Sequence, residues 1–240
     1  MRALPVRRPE LAGLVADVAL AASAGRGPVR VGVDGLAPGA GEVADELAAA
    51  LADRGVQALR ATAGDFLRAR SLRLEYGAPT AEDLQDGWFD DEALARLLLG
   101  PLAPGGDRRV VTGLRHPDTD RSLRLPWQEL GAAAVLVLDG PLLGRPGLEG
   151  LLDLQVHLAL GAAALERATA PDARPIPGAV TGEEAARAYR ESPSPQTALR
   201  VAFDHPARPA VLLPDGWDAL RAGLPEPRRL AEHLLSAARA

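Results

Sequence analysis

Between Val29 and Gly55 the chain reads VRVGVDGLAPGAGEVADELAAALADRG. Gly35 and Gly41 bracket five residues that separate an alternating apolar run from an amphipathic one, the pattern of a strand turning through glycines into a helix. Backbone N–H groups at such a turn, together with a helix N-terminus, attract phosphate. A working phosphate loop adds a Lys for mobile positive charge and a Ser or Thr hydroxyl for Mg²⁺. Anchored on Gly41, the Lys position here holds Glu42 and the hydroxyl position Val43, while Pro38 removes one N–H donor. Gly39, Ala40 and Gly41 still offer backbone N–H groups to an anion. Two unit charges about 4 Å apart at an effective dielectric near 20 interact by roughly 4 kcal/mol, so exchanging attraction for repulsion costs up to about 8 kcal/mol per phosphate charge before relaxation. For this stretch alone, a plain strand–turn–helix whose Glu42 serves the helix dipole is a sufficient reading.

Two further carboxylates stand where strands are expected to end: Asp65 in TAGDF and Asp139 in VLVLDG. With Glu42 they are the acid–base candidates, and a carboxylate at a helix N-terminus stays ionised, which suits a base better than a proton donor. The segment RHPDTDR, Arg115 to Arg121, offers Arg115, His116, Asp118 and Asp120 for substrate contact, with a polar turn as the simpler reading. Arg187, Arg190 and Arg200 are cations that could meet an anion or lie solvated on a helix. Tyr76, Trp88 and Phe89 could stack on a base, but burial against DDEALARLLL is the better expectation for them. Of the histidines, His157 falls on an apolar strand pattern and reads as a satisfied core residue, His205 as a loop residue and His233 as a solvated helix residue. Their spacing matches no metal-ligand pattern.

The elements that must position these residues follow from composition and periodicity. With 240 residues and 47% hydrophobic content the chain can bury a sizeable core, built mainly from Leu, Val and Ala because only 3% is aromatic. There is no Cys, hence no disulfide, thiol nucleophile or thiolate metal site. All 27 basic residues are Arg, so neither a Schiff-base nor a phosphate-loop lysine can come from this chain. The net charge of -5 argues against a nucleic-acid partner, and no apolar run is long enough to span a bilayer. Without a signal-like start, cytoplasmic is the default expectation.

PELAGLVADVALAASA (9–24) has helical spacing, PVRVGVDG reads as a buried strand, and EVADELAAALADRG as a helix stopped by Gly55. Strands are also expected at VQALRATAGDF, DRRVVTGL, GAAAVLVLDGPLL, DLQVHLAL and PARPAVLLPDG, and helices at DDEALARLLLGPL, 160–168 and 182–190. Such alternation predicts an α/β fold in three layers, a central parallel sheet flanked by helices. Ligands of such sheets bind at the carboxyl ends of the strands, which places Gly35–Glu42, Gly64–Asp65 and Asp139–Gly140 at the site. The Pro-rich PDARPIPG and ESPSPQ read as loops or lid edges. One domain over 1–240 is expected, with a lid at 170–200 and helices towards both termini.

The ordered series VGVDG…GAG…ADELAAAL, TAGDF, LLLGPLAPGGDRRV, TDRSLRLPW, VLVLDGPLLGRPGL, DLQVHLAL and YRESPSPQ, over roughly 28–215, resembles the uridine kinase-like proteins of the P-loop nucleoside kinase group. The resemblance implies a P-loop kinase fold, a parallel sheet of about five strands and a mobile lid over the phosphates. It also implies that the family's phosphate-binding lysine falls on Glu42 and its Mg²⁺-binding hydroxyl on Val43, a degenerate loop. The family's sugar-hydroxyl base falls on Gly64, with Asp65 one residue late, and Asp139 fits the acidic position ending the later strand. Arg187, Arg190 and Arg200 fall where the family's lid arginines contact phosphates, and Arg115 and His116 on the nucleoside side. The expectation is a kinase-like protein that has lost ordinary ATP-dependent transfer, requires neither ATP nor Mg²⁺, and binds a nucleoside-like or phosphorylated small molecule. The alternatives are an active nucleoside kinase using Arg in place of the loop Lys and a non-catalytic regulatory or scaffold partner. The oligomeric state stays open.

Overall fold

The computed structural model describes residues 2–23, 27–36, 39–178, 180, 182–192, 198–213 and 225–237. In chain order the first elements are β1 (Arg2–Pro5), α1 (Arg8–Ser23), β2 (Val29–Asp34), α2 (Gly39–Ala52) and β3 (Ala58–Thr62). Three short helices follow, α3 (Arg70–Arg73), α4 (Ala81–Gln85) and α5 (Asp91–Leu94), the last running on through a π turn at Ala95–Leu99 and a 3₁₀ turn at Gly100–Leu102. Then come β4 (Arg109–Val110), β5 (Gln128–Glu129), β6 (Val135–Gly140), β7 (Leu154–Ala159), α6 (Ala162–Ala168), α7 (Glu183–Glu191), β8 (Ala198–Ala202), β9 (Ala210–Leu213) and α8 (Pro227–Ala237).

Seven strands form the main sheet in the order β1-β9-β8-β7-β2-β6-β3. The five from β8 to β3 are mutually parallel, and β9 and β1 add an antiparallel edge. Every residue of β2 is buried, as expected of a parallel strand covered on both faces. The side-chain alternation of β6 supplies both layers. Val135 and Val137 join Val31, Val33 and Val156 under α1, α2 and α8, whereas Leu136 and Leu138 pack on the opposite face with Trp88, Leu94, Leu98 and Ala185. Helix α2 buries Ala40, Val43, Ala44, Leu47 and Leu51, one face at helical spacing, and stops at Gly55, whose φ of +73 suits glycine. The expected α/β class with a central, mostly parallel sheet between helical layers is therefore observed.

Several local expectations differ. DRRVVTGL yields only the two-residue β4, paired with β5 outside the main sheet, because Arg108 turns the backbone at φ 60 and the Val111 N–H bonds to the Leu97 carbonyl. The sheet exceeds five strands because β1 and β9 pair residue for residue from Arg2↔Leu213 to Pro5↔Ala210. Among the described residues no helix is long and apolar enough to cross a membrane. Trp88 and Phe89 are buried as expected, and Tyr76 is 94% exposed.

Candidate functional site

Strand β2 lies between β6 and β7, so the chain leaves it to one side and returns on the other. That makes its carboxyl end a topological switch point, the usual place for a ligand crevice in an open α/β sheet. Register brings Asp34 opposite Gly140 and His157, and Thr62 opposite Asp139. The first turn of α2, with Gly39, Ala40 and Gly41, begins above the same edge. Pro38 lies outside the described residues.

Of the expected acid–base candidates, Asp139 stands at this edge with a side chain only 14% exposed. Arg60 Nη2 meets it at 3.0 Å and Thr62 Oγ1 at 3.5 Å, and a Cβ on Gly41 would stand 3.6 Å from its Oδ2. Burial pushes the Asp139 carboxyl above the ordinary carboxylate range, with Arg60 opposing. Four of the five N–H donors of Arg60 are committed, since it also holds Asp45 at 2.8 Å and donates to the carbonyls of Ala61 and Val137, both at 3.0 Å. It neutralises Asp139 without being free to follow a phosphate.

Asp65 sits in a 3₁₀ turn, Ala63–Phe66, capped by Thr62, whose Oγ1 accepts from the Gly64 N–H at 3.2 Å. The Asp65 carbonyl accepts from Leu114 and Arg115 N–H at 2.8 and 2.9 Å, fastening the expected substrate-side segment beside it. Gly113 permits that approach, because a Cβ there would come 2.7 Å from the Asp65 Cβ. Burial pushes the Asp65 carboxyl upward as well, with His116 opposing and Asp139 reinforcing the shift. His116 is exposed, and its Nδ1 accepts from Asp118 and Thr119 N–H at 3.2 and 3.4 Å.

Of the expected site residues, Asp65, Asp139, Gly41, Arg115 and His116 are thus gathered at the crevice. Glu42 is engaged elsewhere: its carboxylate binds Arg8 of α1 at 2.8 Å, and the same guanidinium holds Glu46 at 2.8 Å. Val43 is 2% exposed and belongs to the apolar layer under α1. Arg187 is held on α7 by Glu184 at 2.7 Å and Glu191 at 3.9 Å, and Arg190 is exposed on the same helix. Helix α7 packs on α4, where Glu184 accepts from the Ala81 N–H at 2.7 Å.

Asp34 was not among the expected site residues. It is 1% exposed, accepts from the Leu143 N–H at 3.1 Å and meets His157 Nδ1 at 2.7 Å. The His157 ring stacks on Tyr189 at 5.7 Å, and the Tyr189 hydroxyl donates to the Leu158 carbonyl while accepting from the Leu160 N–H at 3.1 Å. Burial pushes that phenol far above its ordinary range. His157 is therefore the satisfied core residue expected. The legible signal for Asp34 was a carboxylate one residue before the first glycine of the turn, on the strand face opposite Val31 and Val33. Among the described residues no group of three or more His, Asp or Glu could hold a metal ion.

No protein-family model matches the chain, and no curated protein is similar to it. Among solved structures it is similar to a possible uridine kinase from Bacillus stearothermophilus, with a TM-score of 0.48 and 20% identity over 55% of this chain and 71% of that one. It is also similar to a D-glycerate 3-kinase from Cryptococcus neoformans var. grubii, with a TM-score of 0.49 and 14% identity over 80% of this chain and 94% of that one.

Proposed function

We propose that this chain is a uridine kinase-like protein of P-loop kinase ancestry whose switch-point crevice binds a nucleoside-like or phosphorylated small molecule, and that ordinary ATP-dependent phosphoryl transfer is not its reaction. The observation that carries this reading is the fate of the two phosphate-loop positions: Glu42 is ion-paired to Arg8 and Val43 is buried in the apolar layer. Phosphoryl transfer depends almost wholly on placed charge. The residues present do not fit a magnesium triphosphate, because the cation position is acidic, the hydroxyl position is apolar, and the nearby Arg60 is already paired with Asp45 and Asp139 and bonded to two carbonyls.

The substrate half of the crevice keeps its chemistry. Asp65 and Asp139 are both carboxyl groups with raised proton affinity, which makes each a stronger base at neutral pH than a solvated carboxylate. Asp65, partly exposed and beside His116, is the one placed to take a proton from a ligand hydroxyl. Asp139, pinned by Arg60, fixes the charge behind it. Glu42 then serves the dipole of α2 and the α1–α2 contact.

Thermal-shift titration tests the reading. A nucleoside or nucleoside monophosphate is expected to raise the melting temperature, with magnesium ATP at the same concentrations raising it little, and labelled ATP is expected to transfer no phosphate to a nucleoside panel. Saturable magnesium ATP binding with turnover of a nucleoside overturns the proposal.

A further inference from the structure

Beside Asp65 the guanidinium groups of Arg73 and Arg115 and the main-chain N–H of Arg70 converge on one carboxylate. Asp120, in the left-handed region at φ 57, accepts the Arg70 N–H on both oxygens at 3.1 Å. Arg73 Nη2 stands 3.5 Å from its Oδ1, and Arg115 Nη1 stands 3.7 Å from its Oδ2 while donating to its main-chain carbonyl at 2.6 Å. Among the described residues neither Arg73 nor Arg115 has a second carboxylate partner, and Arg70 has none for its guanidinium.

Arg73 is enclosed to an extent rare for a guanidinium, with its side chain 2% exposed and its charge 4.5 Å over the Trp88 ring. Its Nε donates to the Arg68 carbonyl at 2.9 Å, and its Nη1 is buried with no hydrogen-bond partner among the described residues. Burial and the charges of Arg70 and Arg115 all work against Arg73 keeping its proton, and only Asp120 supports it. Leaving a buried charged donor unpaired is costly, and an ion at the site is one of the few physical reasons to retain it. The wall opposite is the loop through Pro177 and Gly178. Trp88 Nε1 donates to the Pro177 carbonyl at 2.8 Å, Pro177 lies over Gly64, and a Cβ on Gly178 would reach within 2.3 Å of Arg73 Nη1. One loop therefore closes over both the arginines and the residue preceding Asp65. Arg70 is exposed and Arg115 partly so, which leaves the cluster open to solvent on that side.

We propose that Arg70, Arg73 and Arg115 form an oxyanion subsite that holds a phosphate or carboxylate of the ligand while Asp65 faces its hydroxyl-bearing part. The inference rests on the reading of the Asp65 crevice as a small-molecule site and narrows its ligand to an anionic one. Asp120 acts as the placeholder: a single negative charge holds the guanidinium groups of Arg73 and Arg115 together and anchors the Arg70 main chain beside them, and the ligand's oxyanion joins or displaces it through charge-assisted bonds.

Isothermal titration of the full chain with uridine, uridine 5′-monophosphate, ribose, ribose 5-phosphate, ribonate and inorganic phosphate tests it. Each anionic sugar or nucleotide able to use the subsite is expected to bind about tenfold or more tightly than its neutral counterpart, and comparison of ribose 5-phosphate with ribonate distinguishes phosphate from carboxylate. The double variant Arg70→Gln, Arg115→Gln is expected to erase that advantage, while Asp120→Asn, which keeps the acceptor and removes the charge, is expected to tighten the anions about two- to fivefold. Opposite responses at neighbouring positions are not what loss of structure produces. Equal affinity for anionic and neutral partners overturns the subsite and leaves the proposed function standing. So does an anion preference that survives the double variant or is lost instead with Arg187→Ala. Nucleoside turnover with magnesium ATP overturns the proposed function, with the affinity ratio still deciding the subsite. Binding of none of the probes overturns both.

Discussion

Asp65 illustrates how a single group can be held for chemistry at the expense of stability. In the unfolded chain its carboxyl ionises at about pH 3.9, whereas in the fold its proton affinity is raised. The folded state is therefore unburdened at low pH, and it becomes progressively penalised as pH rises through the folded value. Asp65→Asn is expected to raise the melting temperature by about 2 °C at pH 7 and to leave it unchanged near pH 3, an effect kept small by the partial exposure of the group. Glu42→Ala, at a half-exposed ion pair, is expected to move stability by less than about 1 kcal/mol in urea denaturation. Asp34→Ala removes the acceptor of both Leu143 N–H and His157 in a dry environment and is expected to cost about 2–4 kcal/mol. Residue chemistry was unevenly legible. The spacing of glycines and acids pointed to Asp65 and Asp139, because each ends a recognisable strand. Asp34–His157 and Arg73–Asp120 were invisible, because they join residues 123 and 47 positions apart through tertiary structure that no local pattern encodes.

At the scale of elements, the sequence was most readable where one periodicity ran uninterrupted. The apolar runs of β2, β6 and β7 and the helical spacing of α1 and α2 were anticipated because burial on two faces, or on one stripe, leaves a direct imprint. The edge strand β1 was not, since RALP carries no alternation and is a strand only because β9 offers it a partner. RVAF was likewise overlooked, although β8 pairs with β7 from Ala198 to Ala202. The segment after β6 is held by an ionic anchor rather than by apolar packing alone: Arg145 is fully buried, bonds Asp91 of α5 at 2.5 and 2.9 Å and lies 4.3 Å over Phe89. Arg145→Ala strands the Asp91 carboxylate and is expected to destabilise the chain by about 3–5 kcal/mol, measured by the urea midpoint at constant slope.

For the whole molecule, the two helical layers have different tasks. On one face α1, α2 and α8 close over valines and leucines, and removal of residues 225–240 is expected to uncover Leu11, Leu14 and Val18 of α1, giving dye-binding apolar surface and concentration-dependent light scattering. On the other face strands β2 and β7 present Arg30, Asp34, Gln155 and His157, and the short helices and turns add Arg73 and Arg145, a density of buried polar groups that, among the described residues, the opposite layer lacks.

That asymmetry implies unequal opening. Amide protons of β2 and β6, sandwiched between parallel neighbours, are expected to exchange with deuterium only when the entire chain unfolds, while those of the 113–122 segment, fastened through a handful of polar contacts, should exchange by partial detachment. A scaffold organised in this way can exchange one small molecule for another over evolutionary time by rewriting its loosely fastened half, with the rigid half never needing to be relearned.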